Sequence, residues 1–84
     1  MTRSYDMSWN YRIVRKAFKE HVAYQVHEVY YNPDGTIKGW TENPINPAGE
    51  TPEELKQDFS RQLLAFESPI LDYEQLSQDL HEKR

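Results

Sequence analysis

The stretch "HEVYYNPDGTIKGWTENP", residues 27–44, decides how the first half of the chain folds. At its centre, Pro33 presets its own φ to about −65°, and Gly35 accepts a positive φ without steric cost. Asp34 favours a turn between them because its side chain hydrogen-bonds to nearby backbone groups. Aromatic and β-branched residues stand on both sides of these three residues. The pattern therefore predicts a β-hairpin closed by a type I turn and a glycine bulge.

Two segments that precede this turn alternate between apolar and polar side chains, as a β-strand does. They are "WNYRIV", residues 9–14, and "HVAYQVHEVYY", residues 21–31, in which apolar side chains recur at every second position. The connections between the three strands are too short for a parallel crossover, so we expect an antiparallel meander. Counting back from the turn places Glu28 opposite Trp40.

This register predicts which side chains share a face of the sheet. The more apolar face would form the core, and it would carry Trp9, Tyr11, Ile13, Val22, Tyr24, Val26, Tyr30 and Trp40. The opposite face would carry Asn10, Arg12, Val14, Gln25, His27, Val29, Tyr31, Ile37 and Thr41. A slip of one residue would exchange the two faces. A bulge near His27 would place Val29 and Tyr31 on the more apolar face.

The segment "TPEELKQDFSRQLLAFE", residues 51–67, carries the signals of a helix start. Thr51 is a good N-cap, Pro52 suits the first helical position, and Glu54 stands where a capping-box acid reaches back. Apolar residues then recur at spacings of four, four and three and form one stripe, consisting of Leu55, Phe59, Leu63 and Phe66. We expect a helix over about 52–67 that packs this stripe on the aromatic face of the sheet.

The remaining segment, "PILDYEQLSQDLHEKR", residues 69–84, predicts a short extended piece and then a weak helix. Asp72 resembles a second N-cap, and Tyr73, Leu76 and Leu80 would share one helix face. The predicted fold class is α+β: a three-stranded antiparallel β-meander, one long helix on one face, and a short C-terminal strand or helix. Residues 1–84 would form a single domain, with an ordered core over about 8–72 and a partly frayed tail.

Composition narrows the classes of protein that fit. The 84 residues contain 37% hydrophobic and 13% aromatic residues, so we expect a small core rich in aromatic rings. The chain has no cysteine, which excludes a disulfide framework and a cysteine-based zinc site. No apolar run approaches the roughly 20 residues that a membrane span needs, and no signal-peptide stretch is present. We expect a cytoplasmic protein without a membrane partner.

The motifs "WNYRIV", "HEVYYNPDG", "GWTENP" and "GETPEEL" together resemble a family of short bacterial proteins with no assigned function. The resemblance covers roughly residues 8–73 and implies a three-stranded sheet with a packed helix. A weaker likeness, carried by Gly49, Glu50, Thr51, Glu53 and Glu54, is to the helix entry of HicB-type antitoxins. That likeness would imply an antitoxin-like regulator, although the Asn-Pro-Asp-Gly hairpin and the Pro-rich loop depart from its pattern.

The sequence predicts no catalytic residue, no cofactor site and no metal site. His27 and Glu28 are neighbours on a strand, so their side chains should point to opposite faces. His21 and His27 lie too far apart along one strand to share a metal, and no serine stands in a nucleophile-elbow pattern. The three glycines are isolated, so none forms a phosphate-cradling loop. We therefore expect a protein that is not an enzyme.

The class of function that remains is binding, and the sequence leaves two kinds of partner open. Residues 1–40 carry six basic and four acidic residues (+2), whereas residues 41–84 carry four basic and ten acidic residues (−6). Exposed aromatics beside Arg12, Arg15 and Lys38 could stack single-stranded nucleic acid, which is the alternative function. We favour a protein-interaction or regulatory module that binds another protein or a second copy. The predicted partner surface consists of Arg12, Val14, Val29, Tyr31, Ile37 and Leu64.

Overall fold

The computed structural model describes the backbone of residues 8–82 and the side chains of residues 8–79. Over this range the strands are β1 (Trp9–Ala17), β2 (Val22–Tyr31), β3 (Ile37–Trp40) and β4 (Leu71–Asp72). The helices are α1 (Pro52–Leu63), which continues as a 3-10 turn (Leu64–Glu67), and α2 (Tyr73–Glu82). The strand order is β3-β2-β1-β4.

The α+β class is confirmed, but the sheet is mixed and is not a pure antiparallel meander. β1, β2 and β3 pair antiparallel as predicted, whereas β4 pairs parallel to β1 through Val14–Leu71 and Arg15–Asp72. The parallel pair is possible because α1 supplies a crossover connection long enough to bring the chain back in the same direction. Two helices flank the sheet within the described part of the chain, in place of one long helix.

The Asn-Pro-Asp-Gly turn forms as the sequence predicts. Asn32 N–H donates to the Thr36 carbonyl at 2.8 Å, and Gly35 N–H donates to the Asn32 carbonyl at 2.8 Å. Gly35 adopts a φ of 91°, which a side chain would disfavour. The Asp34 carboxylate accepts the backbone N–H of Thr36 at 3.0 Å and its hydroxyl at 2.6 Å. Backbone geometry therefore accounts for the residue types in this turn.

The register beyond this turn differs from the prediction. Tyr31 pairs with Ile37, but Tyr30 pairs with Gly39, so β3 contains one extra residue between these pairs. A bulge of this kind moves every later side chain to the other face. Val29, and not Glu28, therefore stands opposite Trp40. The prediction that Trp40 shares a face with Trp9 and Tyr24 is wrong.

The β1–β2 pairing gives each face of the sheet a definite set of residues. Tyr11 pairs with Glu28 and Ile13 with Val26, so the two faces of this hairpin carry the β1 and β2 side chains that the sequence predicts for them. We call the side that carries Trp9, Tyr11, Ile13, Arg15, Val22, Tyr24, Val26 and Glu28 the first face. The second face carries Asn10, Arg12, Val14, Lys16, His27, Val29 and Trp40.

Local capping fixes where α1 begins. The Thr51 hydroxyl accepts the backbone N–H of Glu54 at 3.1 Å, and the Glu54 carboxylate accepts the backbone N–H of Glu50 at 3.0 Å. The first contact is the predicted N-cap bond. The second reaches Glu50, one residue before the N-cap, whereas a capping box would reach Thr51 itself. Gly49 is required beside this cap, because a Cβ there would lie 2.5 Å from the backbone nitrogen of Leu55.

Each face of the sheet is covered by a different helix. On the first face, β1 contacts the 3-10 turn that follows α1, and Ile13, Gln62 and Ala65 are buried. On the second face, Lys16 lies 4.2 Å from the Tyr73 ring of α2, and Trp40 packs edge-to-face on the same ring. The buried side chains on that side are Val14, His27, Val29 and Leu76 of α2. Apolar residues from both faces therefore enter the core.

We predict that Val29→Ala lowers the free energy of unfolding by roughly 2 kcal/mol, because it leaves a cavity in a fully buried position. Val22→Ala is the matched control, since Val22 lies in the same strand but is exposed, and its cost should stay below about 1 kcal/mol. Urea denaturation followed by circular dichroism measures both. Equal losses for the two variants would contradict the burial of Val29 under α2.

Candidate functional site

The apolar stripe of α1 does not face the sheet. Leu55, Phe59, Leu63 and Phe66 are 36%, 53%, 61% and 70% exposed, whereas Gln62 and Ala65 are buried. The prediction that the stripe forms the core is therefore wrong. At about 100° per residue, the stripe lies roughly a quarter turn around the helix from the buried side, on one flank of α1. The exposure rises steadily along the stripe from its first residue to its last.

The path of the chain shows which end of the hairpin this flank faces. Ile45 N–H donates to the Val26 carbonyl at 2.8 Å, so the chain enters α1 from the outer side of β2. After the 3-10 turn, the Pro69 carbonyl accepts a hydrogen bond from Arg12 at 2.7 Å, and β4 then pairs outside β1. The axis of α1 therefore crosses the strands, and its two flanks face the two ends of the hairpin.

The flank opposite the stripe faces the beginning of β1. A groove of about 390 Å³ separates the two, and it is lined by Trp9, Asn10, Tyr11, Arg61, Leu64, Glu67 and Ser68. The stripe is on the other side of α1, and at the other end of the hairpin Val22 and Tyr24 stand on the first face and are 42% and 60% exposed. We call the six exposed side chains Leu55, Phe59, Leu63, Phe66, Val22 and Tyr24 the apolar corner.

Polar contacts hold the sheet-facing side of α1 in place and so fix the orientation of the stripe. The Asp58 carboxylate accepts the backbone N–H of Ala48 at 2.9 Å and the side chain of Gln62 at 3.4 Å. Arg61 forms an ion pair with Asp58 at 3.6 Å. The contact between Asp58 and Ala48 joins α1 to the preceding loop, so rotating the stripe toward the sheet would break it.

Two tyrosines on the first face have raised pKa values. Burial raises the pKa of Tyr11 above its ordinary value of 10.0, and the nearby charges of Asp58 and Glu28 raise it further, while Arg61 acts in the opposite direction. The pKa of Tyr30 is raised because its hydroxyl donates a 2.7 Å hydrogen bond to the Glu28 carboxylate. Both phenols are neutral at physiological pH, as a phenol with the ordinary pKa of 10.0 already is, and the shifts extend the neutral range to higher pH.

We predict that Asp58→Asn lowers the pKa of Tyr11 and leaves that of Tyr30 unchanged, whereas Glu28→Gln lowers both. The folded state holds the Tyr11 proton more tightly than the unfolded state. Its contribution to the free energy of unfolding is therefore present below pH 10.0 and is lost as the pH rises through the folded pKa. Titration of ¹³Cζ-labelled tyrosines by NMR measures each group. A Tyr11 pKa that neither variant changes would contradict this arrangement.

The structure does not bring the six predicted partner residues together. Val14 and Val29 are buried, so the prediction that they are exposed is wrong, and the reason is that α2 covers the second face. Ile37 is half-buried on β3. Leu64 is exposed as expected, but it lines the groove near the start of β1, on the other side of the sheet from the rest.

The last two predicted partner residues form an internal network. Arg12 donates to the Tyr31 hydroxyl at 2.9 Å and to the Pro69 carbonyl at 2.7 Å. Tyr31 in turn donates its hydroxyl proton to the side-chain oxygen of Asn10 at 2.7 Å. These bonds join β1 and β2 to the segment that leads into β4. Their place in the molecule supports a structural role.

The histidine that the sequence analysis singled out is also held internally. His27 is buried on the second face, with its Nδ1 2.9 Å from the Thr41 carbonyl, while Glu28 lies on the first face as predicted. Among the side chains of residues 8–79, no group of three or more histidines, cysteines or acids could hold a metal ion. Within residues 8–82, neither helix has the length and apolarity that crossing a bilayer demands.

The apolar corner was missed because the sequence analysis assigned its residues to the core. The number of apolar residues in the sequence could have revealed this surface. The apolar residues on both sheet faces and in the α1 stripe are together more than two small helices can cover. Comparison with known protein families, with curated proteins and with solved structures finds no match for this chain.

Proposed function

We propose that this chain is a non-enzymatic protein-interaction module that binds its partner through the apolar corner. The observation that supports this proposal is the outward orientation of the α1 stripe, whose four apolar side chains are exposed while Gln62 and Ala65 face the sheet. Single exposed apolar residues are ordinary on protein surfaces, but contiguous patches mark sites of interaction. Two of the exposed side chains, Phe59 on α1 and Phe66 on the 3-10 turn that follows it, are aromatic rings of the kind that anchors protein interfaces.

The size of the corner is consistent with this role. Its exposed side-chain parts amount to roughly 600 Å², taking aromatic residues at ~150–250 Å² each, and a standard interface takes ~800 Å² from each partner. A surrounding rim of polar residues would supply the difference.

Single-stranded nucleic acid is the second candidate partner, and one observation favours it. At the turn between β1 and β2, the rings of Phe18 and His21 stack at 4.8 Å, and the Lys16 ammonium lies 5.3 Å from the Phe18 ring. An exposed aromatic ring beside a cation can stack a base and neutralise a phosphate. The net charge of −4 and the acidic α1 disfavour this partner for the chain as a whole.

We predict that the double variant Phe59→Ser, Leu63→Ser loses its protein partner, with capture from a cell lysate reduced at least about tenfold. The matched control is Lys56→Ser, Gln57→Ser, which changes two neighbouring exposed residues of α1 outside the stripe. Quantitative mass spectrometry of affinity-captured proteins, with and without nuclease, compares both variants with the native chain. Circular dichroism confirms that all three are folded.

Two results would overturn the proposed function. If both variants captured the same proteins in the same amounts, the apolar corner would not be the binding surface. If nuclease treatment removed every specifically captured protein, the nucleic-acid candidate would replace the proposal. In that case Lys19→Glu at the β1–β2 turn should weaken the binding of a single-stranded oligonucleotide.

A further inference from the structure

We propose that the open edge of β1 at residues 9–11 binds an extended peptide segment of another protein, which adds to the sheet as an antiparallel strand. This edge is not part of the apolar corner, so the inference goes beyond the proposed function and does not depend on it. The unpaired backbone groups of an edge strand are the chemical match for a second strand.

The hydrogen bonds at the two ends of the β1–β2 hairpin show which backbone groups of β1 point away from β2. Tyr31 N–H donates to the Ser8 carbonyl at one end, and Phe18 N–H donates to the His21 carbonyl at the other. In an antiparallel ladder, hydrogen-bonded pairs alternate with pairs that are not hydrogen-bonded. The even-numbered residues of β1 therefore bond to β2, and the N–H and C=O groups of its odd-numbered residues point to the opposite edge.

β4 occupies only part of this opposite edge. It pairs with Val14 and Arg15, and in the same parallel register the N–H of residue 69 would donate to the carbonyl of Tyr11. Residue 69 is a proline and has no N–H, so the pairing cannot continue in that direction. Within residues 8–82, the outward N–H and C=O groups of Trp9 and Tyr11 have no hydrogen-bond partner.

A groove adjoins this edge on the first face and has room for a strand. Its volume is about 390 Å³, and it separates Trp9 and Tyr11 from Leu64 and Glu67. An extended residue takes up roughly 160 Å³, from ~4.8 Å between strands, ~10 Å between packed layers and ~3.3 Å of rise. The groove therefore holds about two to three residues of extended chain, which is the number that pairing with residues 9–11 requires.

The pairing determines which side chains suit the peptide. Residues directly opposite Trp9 and Tyr11 share the first face with them, whereas the peptide residue between the two points to the second face. The two side chains on the first face would enter the groove beside Leu64, which is 56% exposed. They should therefore be apolar, and the residue between them is free to vary.

Charge around the groove favours a basic residue next to this apolar pair. Arg61 already forms an ion pair with Asp58 at 3.6 Å, whereas the exposed Glu67 carboxylate has no cationic partner among the residues that the structure describes. Burial raises the pKa of Tyr11, and Asp58 and Glu28 raise it further against the opposing effect of Arg61, so negative charge prevails beside the groove. A lysine or arginine beside the apolar pair complements this charge.

A library of acetylated pentapeptide amides tests this inference against the purified full chain. Each peptide has the form Lys-X-Thr-X-Lys, in which X is Val, Ile, Leu, Phe or Tyr. In the free chain, amide hydrogen exchange followed by ¹⁵N NMR should be fast for Trp9 and Tyr11 and slow for Asn10 and Arg12. Saturation with a binding peptide should slow the exchange of the Trp9 and Tyr11 amides by at least about tenfold, because both become hydrogen-bonded.

N-methylation of the peptide distinguishes strand pairing from adhesion to an apolar surface. In the antiparallel pairing, the N–H groups of the two X residues donate to the carbonyls of Trp9 and Tyr11, whereas the threonine N–H points away. Methylation of either X nitrogen should weaken binding at least about tenfold, since it removes a hydrogen bond and adds bulk at the edge. Methylation of the threonine nitrogen is the matched control and should leave the affinity unchanged.

Variants of the chain locate the site. Leu64→Ser should weaken binding about fivefold, because it removes apolar surface from the groove. Glu67→Gln should weaken it about threefold through the loss of an exposed charge. Lys56→Ser, on an exposed part of α1 away from the groove, should leave the affinity unchanged. Circular dichroism confirms that the three variants are folded.

Three results would overturn the inference. In the first, no peptide of the library protects the Trp9 and Tyr11 amides. In the second, a peptide binds but methylation of its X nitrogens and of its threonine nitrogen has equal effects, so no strand is added. In the third, raising the concentration of the chain alone protects these amides, so a second copy occupies the edge in place of a peptide.

Discussion

The pairing of β1 with β2 is the constraint on which the rest of the structure depends. Its nine residue pairs, from Trp9–Tyr30 to Ala17–Val22, form the longest ladder in the described part of the chain. β3 adds to one side of this hairpin and β4 to the other. Because alternate residues point to opposite faces, the same ladder presents Ile13 to α1 and Val14 to α2. Both helices are thus positioned by one pair of strands.

Local features of the fold could be predicted because they depend on residues close together in sequence. The Asn32–Thr36 turn and the Thr51 cap each need only side chains and backbone groups within four positions. The bulge in β3 could not be predicted in the same way. It depends on how Tyr30 and Tyr31 meet a neighbouring strand, and a single extra residue reversed the predicted face of Trp40.

The candidate site was harder to predict for a related reason. The periodicity of Leu55, Phe59, Leu63 and Phe66 correctly predicts a helix with one apolar flank, but it does not state what covers that flank. The competing polar contacts of Asp58 with Ala48 and Gln62 come from a loop and from the helix itself. The contact with Ala48 ties the side of α1 that carries Asp58 to the preceding loop. Only the three-dimensional path of the chain, from β2 across to β4, shows whether the stripe of this helix is buried in the core or exposed.

The same geometry relates binding to stability. Core residues such as Val14 and Val29 stabilise the chain on its own, whereas the α1 stripe gains burial only when a partner is present. Polar substitutions in the stripe should therefore cost the isolated chain little and cost the complex much. On the proposed function, a partner that binds only the folded state would also raise the apparent stability by mass action. Binding would then be a second source of apolar burial for a chain whose own core is small.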